Sequence, residues 1–192
     1  MKNKKISFLC ISVGAVMVSL AIVFAVLRYM KPGGENVDVL HVLSRLDEAI
    51  PEKIAGVYET RTNSDMPAIE IDGVDFIGIL EFPEMDIRFP VGAEWKGSGG
   101  SYCPARYSGS VYDRSLVIGG AYKADNFNFL DSLDVGGKIV FTDMTGCVYT
   151  FEIAKIRHSE KALKEAFESD DGLTLFVKKS SVYIVLSAEP VA

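Results

Sequence analysis

The chain has 192 residues, with 20 Lys and Arg against 26 Asp and Glu, a net charge of −6 and a pI near 5.0. That length allows one globular domain plus a targeting segment. The acidic balance argues against nucleic acid as a partner, because gripping phosphates needs clustered Lys and Arg. The mean hydropathy, +0.20, is positive, but the apolar surplus is concentrated at one end.

At that end Lys2, Lys4 and Lys5 precede the uncharged run Ile6–Leu27, ISFLCISVGAVMVSLAIVFAVL. Roughly 20 apolar residues are enough to cross a hydrocarbon core about 30 Å thick. A cleaved signal peptide would have an apolar region of about 7–15 residues and a small-residue cleavage site. No convincing site of that kind follows Leu27. The expectation is an uncleaved single-pass anchor over residues 6–29, behind a basic cytoplasmic N-terminus at residues 1–5. The lysines then place the rest of the chain outside the cell membrane, although Arg28 and Lys31 on the far flank weaken the asymmetry. Cys10, inside the run, reads as an apolar filler. Cys103 and Cys147 fall in the exported part, where disulfides persist. Each sits near a turn, so a bridge between them is one reading and two free thiols the other, since sequence does not supply the Cα separation a bridge needs.

Residues 30–66 read as a juxtamembrane linker and helix. KPGGEN is a flexible exit from the membrane. Val39, Val42, Leu43, Leu46 and Ile50 then recur at helical spacing, with Asn36 or Asp38 as cap and Pro51 as stop. That amphipathic face is expected to pack on the domain that follows; the polar face is too poor in Lys and Arg for a helix lying on the membrane. YETRTNSDMP is a polar link.

From residue 67 to 192 the chain reads as short strands separated by turns. Strands are predicted near Ala68–Ile71, Phe76–Phe82, Ile87–Val91, Ser115–Gly119, Lys138–Asp143, Val148–Ile156, Leu173–Val177 and Val182–Ser187. DMTG, Asp143–Gly146, is a hairpin turn. Phe127, Leu130 and Leu133 have helical spacing closed by Gly136, and SEKALKEAFESD is a helix with Ser159 as cap. There are no repeats or low-complexity tracts. The fold class is mainly β, an antiparallel barrel or sandwich with short helices.

Several residues invite a functional reading. LTLFVKKSS, Leu173–Ser181, runs as a buried strand into two lysines. Lys178 with Ser180 could be imagined as a dyad, but no nucleophile elbow supports it. His41 and His158, the only histidines, read as ordinary helix and loop residues. Cys103 with Arg106 in CPARYSG is tempting only superficially. No His, Cys and Asp cluster has metal spacing; Asp125, Asp131 and Asp134 do not make a calcium loop, and no cofactor is expected. Gly119 and Gly120 lack the surroundings of a phosphate cradle and read as points of close backbone packing. Trp95, in GAEWKGSGGSY, reads equally as an exposed anchor or as the tether of a glycine-rich loop.

The order of these segments resembles the sortases, cysteine transpeptidases that attach proteins to the walls of Gram-positive bacteria. The resemblance spans about Ala68 to Ser187. DGVDFIGILEFPEMDIRFPV is similar to the family's opening strands, and RYSGSVYDRSLVIGGAYKADNFNFLDSLDVGGKIVFTD to its core. GCVYTFEIAKI is similar to the following long strand, and LTLF to the strand carrying the nucleophile. RYSGS, LVIGG and LTLF most resemble the class B-like subgroup. The resemblance implies a sortase-like antiparallel β-barrel. It also marks three catalytic positions: Ala121 stands where the family has histidine, Lys178 where it has cysteine, and Val182, or its neighbour Ser181, near where it has arginine after a longer loop.

The implied reaction needs a thiolate nucleophile, an imidazole to handle protons and donors for the oxyanion. Each oxyanion donor is worth roughly 3–4 kcal/mol in other enzymes. A methyl group and an isopropyl group cannot take those roles, and an ordinary ammonium is a poor nucleophile at neutral pH. The expected function is therefore a catalytically inactive binding or accessory module at the cell envelope. Its partners would be a sorting-signal peptide, a true sortase or a surface-protein assembly. The alternatives are a divergent, cysteine-independent transpeptidase or hydrolase with a relocated site, and a purely structural envelope subunit. Lys178 itself reads first as an exposed charge closing a shortened hairpin.

Overall fold

The computed structural model describes residues 17, 38–55, 65–97, 103–123, 126–160 and 172–191. The expected anchor at 6–29, apart from Met17, lies outside these, as do most of the polar link, Asp125 and the helix expected after Glu160. No helix among the described residues is long and apolar enough to cross a membrane. Residues 36–192 form one compact unit, and α1 (Val39–Ala49) belongs to it.

Helix α1 starts where Asp38 Oδ1 accepts the Leu40 N–H at 3.0 Å and ends at Ile50, whose backbone is extended before Pro51. It buries Val42, Leu43 and Leu46 against Ile71, Phe76, Ile79 and Cys103. Each such side chain contributes about 1.5–3 kcal/mol when fully withdrawn from water. A polar clamp adds to this packing. Arg88 gives two N–H groups to Asp47 of the helix, at 3.0 and 2.7 Å, and its Nε–H to Glu81 at 2.7 Å.

The strands are β1 (Ile54–Ala55), β2 (Ile69–Ile71), β3 (Val74–Phe82), β4 (Ile87–Gly92) and β5 (Ala105–Ser108), followed by β6 (Ser115–Ala121), β7 (Lys138–Asp143), β8 (Cys147–Ser159), β9 (Gly172–Lys179) and β10 (Val182–Pro190). They run in the order β1-β8-β10-β9-β6-β5-β4-β3-β2, and β7 bridges β3 and β8. That bridge closes an eight-stranded barrel from β3 to β10. Most pairs are antiparallel, but β6 and β9 lie parallel at its centre. In β8 the residues Tyr149, Phe151 and Ile153 are buried with less buried neighbours between them, the period of two expected of a half-covered strand. In β6 and β9 nearly every residue is buried, because both faces of these two strands are covered.

The strands read from sequence are present, with ends shifted by a few residues; β1 and β5 are short additions. The DMTG turn joins β7 to β8. The buried Asp143 carboxylate holds it, accepting from Thr145 N–H, Cys147 N–H and Tyr112 O–H at 2.8–3.0 Å. The segment after Asn126 is a 3₁₀ helix, Phe127–Ser132, instead of an α-helix. Phe127, Leu130 and Leu133 recur at a strict interval of three, which is the 3₁₀ period. Ser159, expected as a helix cap, is the last residue of β8.

Candidate functional site

The C-terminal ends of β6 and β9 lie side by side, and the register sets Ala121 against Lys178. On the other side of β9, the hairpin into β10 turns through only Ser180 and Ser181, with Ser180 in the left-handed region at φ +58°. Lys179 therefore pairs with Val182, and Lys178 with Tyr183. Ala121, Lys178 and Tyr183 form a row across three strands on one face of the sheet. Val182 is one residue out of that row, so its side chain belongs to the opposite face. The third member of the row is thus Tyr183, and the position read from sequence, Val182, is not brought together with the other two.

The row is chemically sparse. The Ala121 side chain is 1% exposed. Lys178 is exposed, with Nζ 5.3 Å from the centroid of the Tyr183 ring, a cation–π contact. On the opposite face Lys179 Nζ donates to Asp131 Oδ2 at 2.7 Å and lies 4.8 Å from the Tyr122 ring centroid. The Asp131 carboxylate raises the pKa of this ammonium, and the ammonium in turn lowers that of Asp131. Both groups face water, so this pair adds little to stability.

Beside Ala121 the sheet face is closed by aromatic packing. Phe176 is 2% exposed and meets the rings of Trp95 (5.6 Å between centroids) and Tyr107 (5.4 Å), both edge to face. This stack lies over Gly119, where an added Cβ would stand 2.6 Å from Phe176 Cζ and 3.0 Å from Trp95 Cδ2. At Gly120, on the other face, a Cβ would overlap the Phe127 ring. Both glycines are points of close approach. Of the two readings of Trp95, the tether describes its place: its N–H donates to Arg106 O at 2.9 Å and its ring packs on Phe176.

Asn126 supports the row from behind. It is 2% exposed, and its Oδ1 accepts the N–H of Ala121 at 3.1 Å and that of Phe127 at 2.9 Å. One side chain thereby fixes both the end of β6 and the start of the 3₁₀ helix. Sequence reasoning passed over Asn126 and Tyr183. The signal for Asn126 was an Asx residue just before an apolar period; for Tyr183 it was the two-residue turn, which sets the register by counting.

The other candidates lie apart. His41 is exposed on α1, 3.7 Å from Asp72. His158 is exposed on β8 and pairs with Ile184, one residue out of the row. Arg106 Nε donates to Ala93 O at 3.2 Å. Ser180 is a turn residue. Among the described residues no group of three His, Cys, Asp or Glu side chains could hold a metal ion. The bridge reading for Cys103 and Cys147 is corrected: both thiols are free. They sit in different apolar clusters, Cys103 beneath α1 and Cys147 against the barrel core. Burial pushes the Cys103 thiol up to about 12, the opposite of an activated nucleophile.

The barrel and its central parallel pair define the fold class. The fold is sortase-like. It is similar to sortase C1 from Streptococcus suis at 17% identity and a TM-score of 0.52, over 61% of this chain and 73% of that one. It is similar to the Clostridium perfringens sortase D5 transpeptidase at 14% identity and a TM-score of 0.51, over 62% and 80%. Against sortase C from Clostridium perfringens SM101 the identity is 10% and the TM-score 0.53, over 83% and 92%. No protein-family model matches the sequence, and no curated protein sequence matches it.

Proposed function

We propose that this chain is a membrane-anchored, extracellular sortase-like protein without transpeptidase activity, acting as a binding or accessory module at the cell envelope. The observation that carries this reading is the row Ala121, Lys178 and Tyr183. It occupies the ends of the two central strands, where the resemblance places imidazole and thiol, and it offers a methyl group, an ammonium and a phenol. No thiolate is available there to form a thioacyl intermediate, and no imidazole to protonate a leaving amine. The aromatic closure over Gly119 further narrows the face for a substrate backbone. A sorting-signal-like peptide, a true sortase or a surface-protein assembly remain the partners of this reading. Cys103 does not supply a nucleophile elsewhere on the chain, because a buried thiol held near 12 is not nucleophilic at neutral pH.

The test uses the full chain in phosphatidylcholine nanodiscs with sorting-motif peptides and hydroxylamine as acceptor, followed by mass spectrometry. The expected result is no cleaved or transferred product. A product that forms with the wild-type chain and vanishes in Lys178→Ala would end this reading.

A further inference from the structure

A groove of about 870 Å³ runs between α1 and the barrel, a volume in the range of ligand-binding clefts. Neither Ala121, Lys178 nor Tyr183 lines it. Asn126 lines the groove while holding the Ala121 N–H. The apolar wall is made by Leu40, Leu43, Phe89 and Phe129. Phe89 and Phe129 are stacked at 6.0 Å with planes 9° apart, and Leu40 stands 76% exposed at the mouth.

The charged groups of the groove are unbalanced. Asp47, Glu48 and Asp86 contribute carboxylates, against the single guanidinium of Arg88. That guanidinium is committed to Asp47 and Glu81. Among the described residues Glu48 and Asp86 have no cationic partner. Two carboxylates beside an apolar trough repel phosphates and fatty-acid headgroups, and they favour a cation carried on an apolar body. Ser44 and Asn128, also in the lining, offer a hydroxyl and a carboxamide to peptide groups.

We propose that this groove binds an extended peptide segment that sets apolar side chains against Leu40, Leu43, Phe89 and Phe129. One or two Lys or Arg side chains of the segment meet Glu48 and Asp86. The site is separate from the row, so it does not depend on the chain lacking transpeptidase activity.

The experiment measures fluorescence anisotropy of a labelled peptide, Lys-Leu-Leu-Phe-Lys-Lys, with the full chain in phosphatidylcholine nanodiscs and empty discs as blank. The comparison peptide is Glu-Leu-Leu-Phe-Glu-Glu. The expected result is saturable binding of the basic peptide, at least about 10-fold tighter than the acidic one. Glu48→Gln with Asp86→Asn should weaken it about 3- to 10-fold and flatten its salt dependence. Asn tolerates the left-handed backbone at position 86, where φ is +54°. Leu40→Ser, at an exposed position, should weaken it by a similar factor, and Lys178→Ala should leave it unchanged. Non-saturable binding, equal affinity for the two peptides, or binding unaffected by the groove variants would overturn the proposal. These outcomes are read without any turnover assay, so they stand apart from the test of transpeptidase activity.

Discussion

Replacing Gly119 by alanine tests whether the face beside the row is closed. The added methyl carbon would lie 2.6 Å from Phe176 Cζ, 3.0 Å from Phe176 Cε1 and 3.0 Å from Trp95 Cδ2. Carbon atoms prefer about 3.5–4.0 Å, so the Phe176 ring must retreat by close to an ångström. It has little room, lying between Trp95 and Tyr107 and packed with Val117 and Val185. Overpacking of this kind costs about 1–3 kcal/mol, partly offset by the lower chain entropy of unfolded alanine. The melting temperature should fall by about 2–12 °C, taking about 2–4 °C per kcal/mol for a domain of this size. Trp95 is the only tryptophan, so its emission reports both the unfolding and the local disturbance. Phe176→Leu shortens the obstructing ring and should cost less in the Gly119→Ala background than in the wild type, a coupling of about 0.5–3 kcal/mol. A Gly119→Ala chain as stable as the wild type, or strictly additive effects, would refute the reasoning.

Three further outcomes follow from the geometry. Hydrogen bonding from Arg88 lowers the Asp47 pKa, so the clamp on α1 contributes stability above the ordinary carboxylate pKa and loses it as pH falls through the folded value. Asp47→Asn should cost about 0.5–1 kcal/mol at neutral pH and low salt, and should flatten urea stability measured below about pH 4. In the folded chain at pH 8, Cys103 should resist maleimide while Cys147 reacts; failure of both to react until a reductant is added would restore the bridge. In a Lys178→Cys background, Tyr183→Arg should lower the pKa of the introduced thiol, read from the pH dependence of iodoacetamide alkylation. Val182→Arg should do so less, and the reverse order would refute the register argument.

The fold was legible because its signals are local. Alternation in β8, the continuous apolar runs of β6 and β9, and the DMTG turn each declare themselves within a few residues. Helix α1 showed both its cap and its buried stripe. What stayed hidden depends on distance across the sheet. Cys103 and Cys147 each sit near a turn, yet nothing in their spacing says that one lies under α1 and the other on the barrel. Trp95 lies beyond a glycine-rich stretch from its partner Phe176, so its covering role was visible only once β5 and β9 had been brought together around Gly119.

The exchange of Val182 for Tyr183 has a more particular cause. Matching residues along the chain assumes that a shortened loop leaves side-chain direction unchanged. In a strand, one residue of slip reverses the face. The two-residue turn at Ser180 and Ser181 fixes the pairing of Lys178 with Tyr183 by counting alone, so residue 182 is directed away from residues 121 and 178. A guanidinium at 182 would therefore face Lys179 and the Asp131 side of the sheet. Against the longer loop that the resemblance implies, the length of this turn thus bears on the site as much as the side chains do. Histidine, cysteine and arginine placed at 121, 178 and 182 would therefore not converge, because the turn sets the side chain at 182 on the opposite face from the other two.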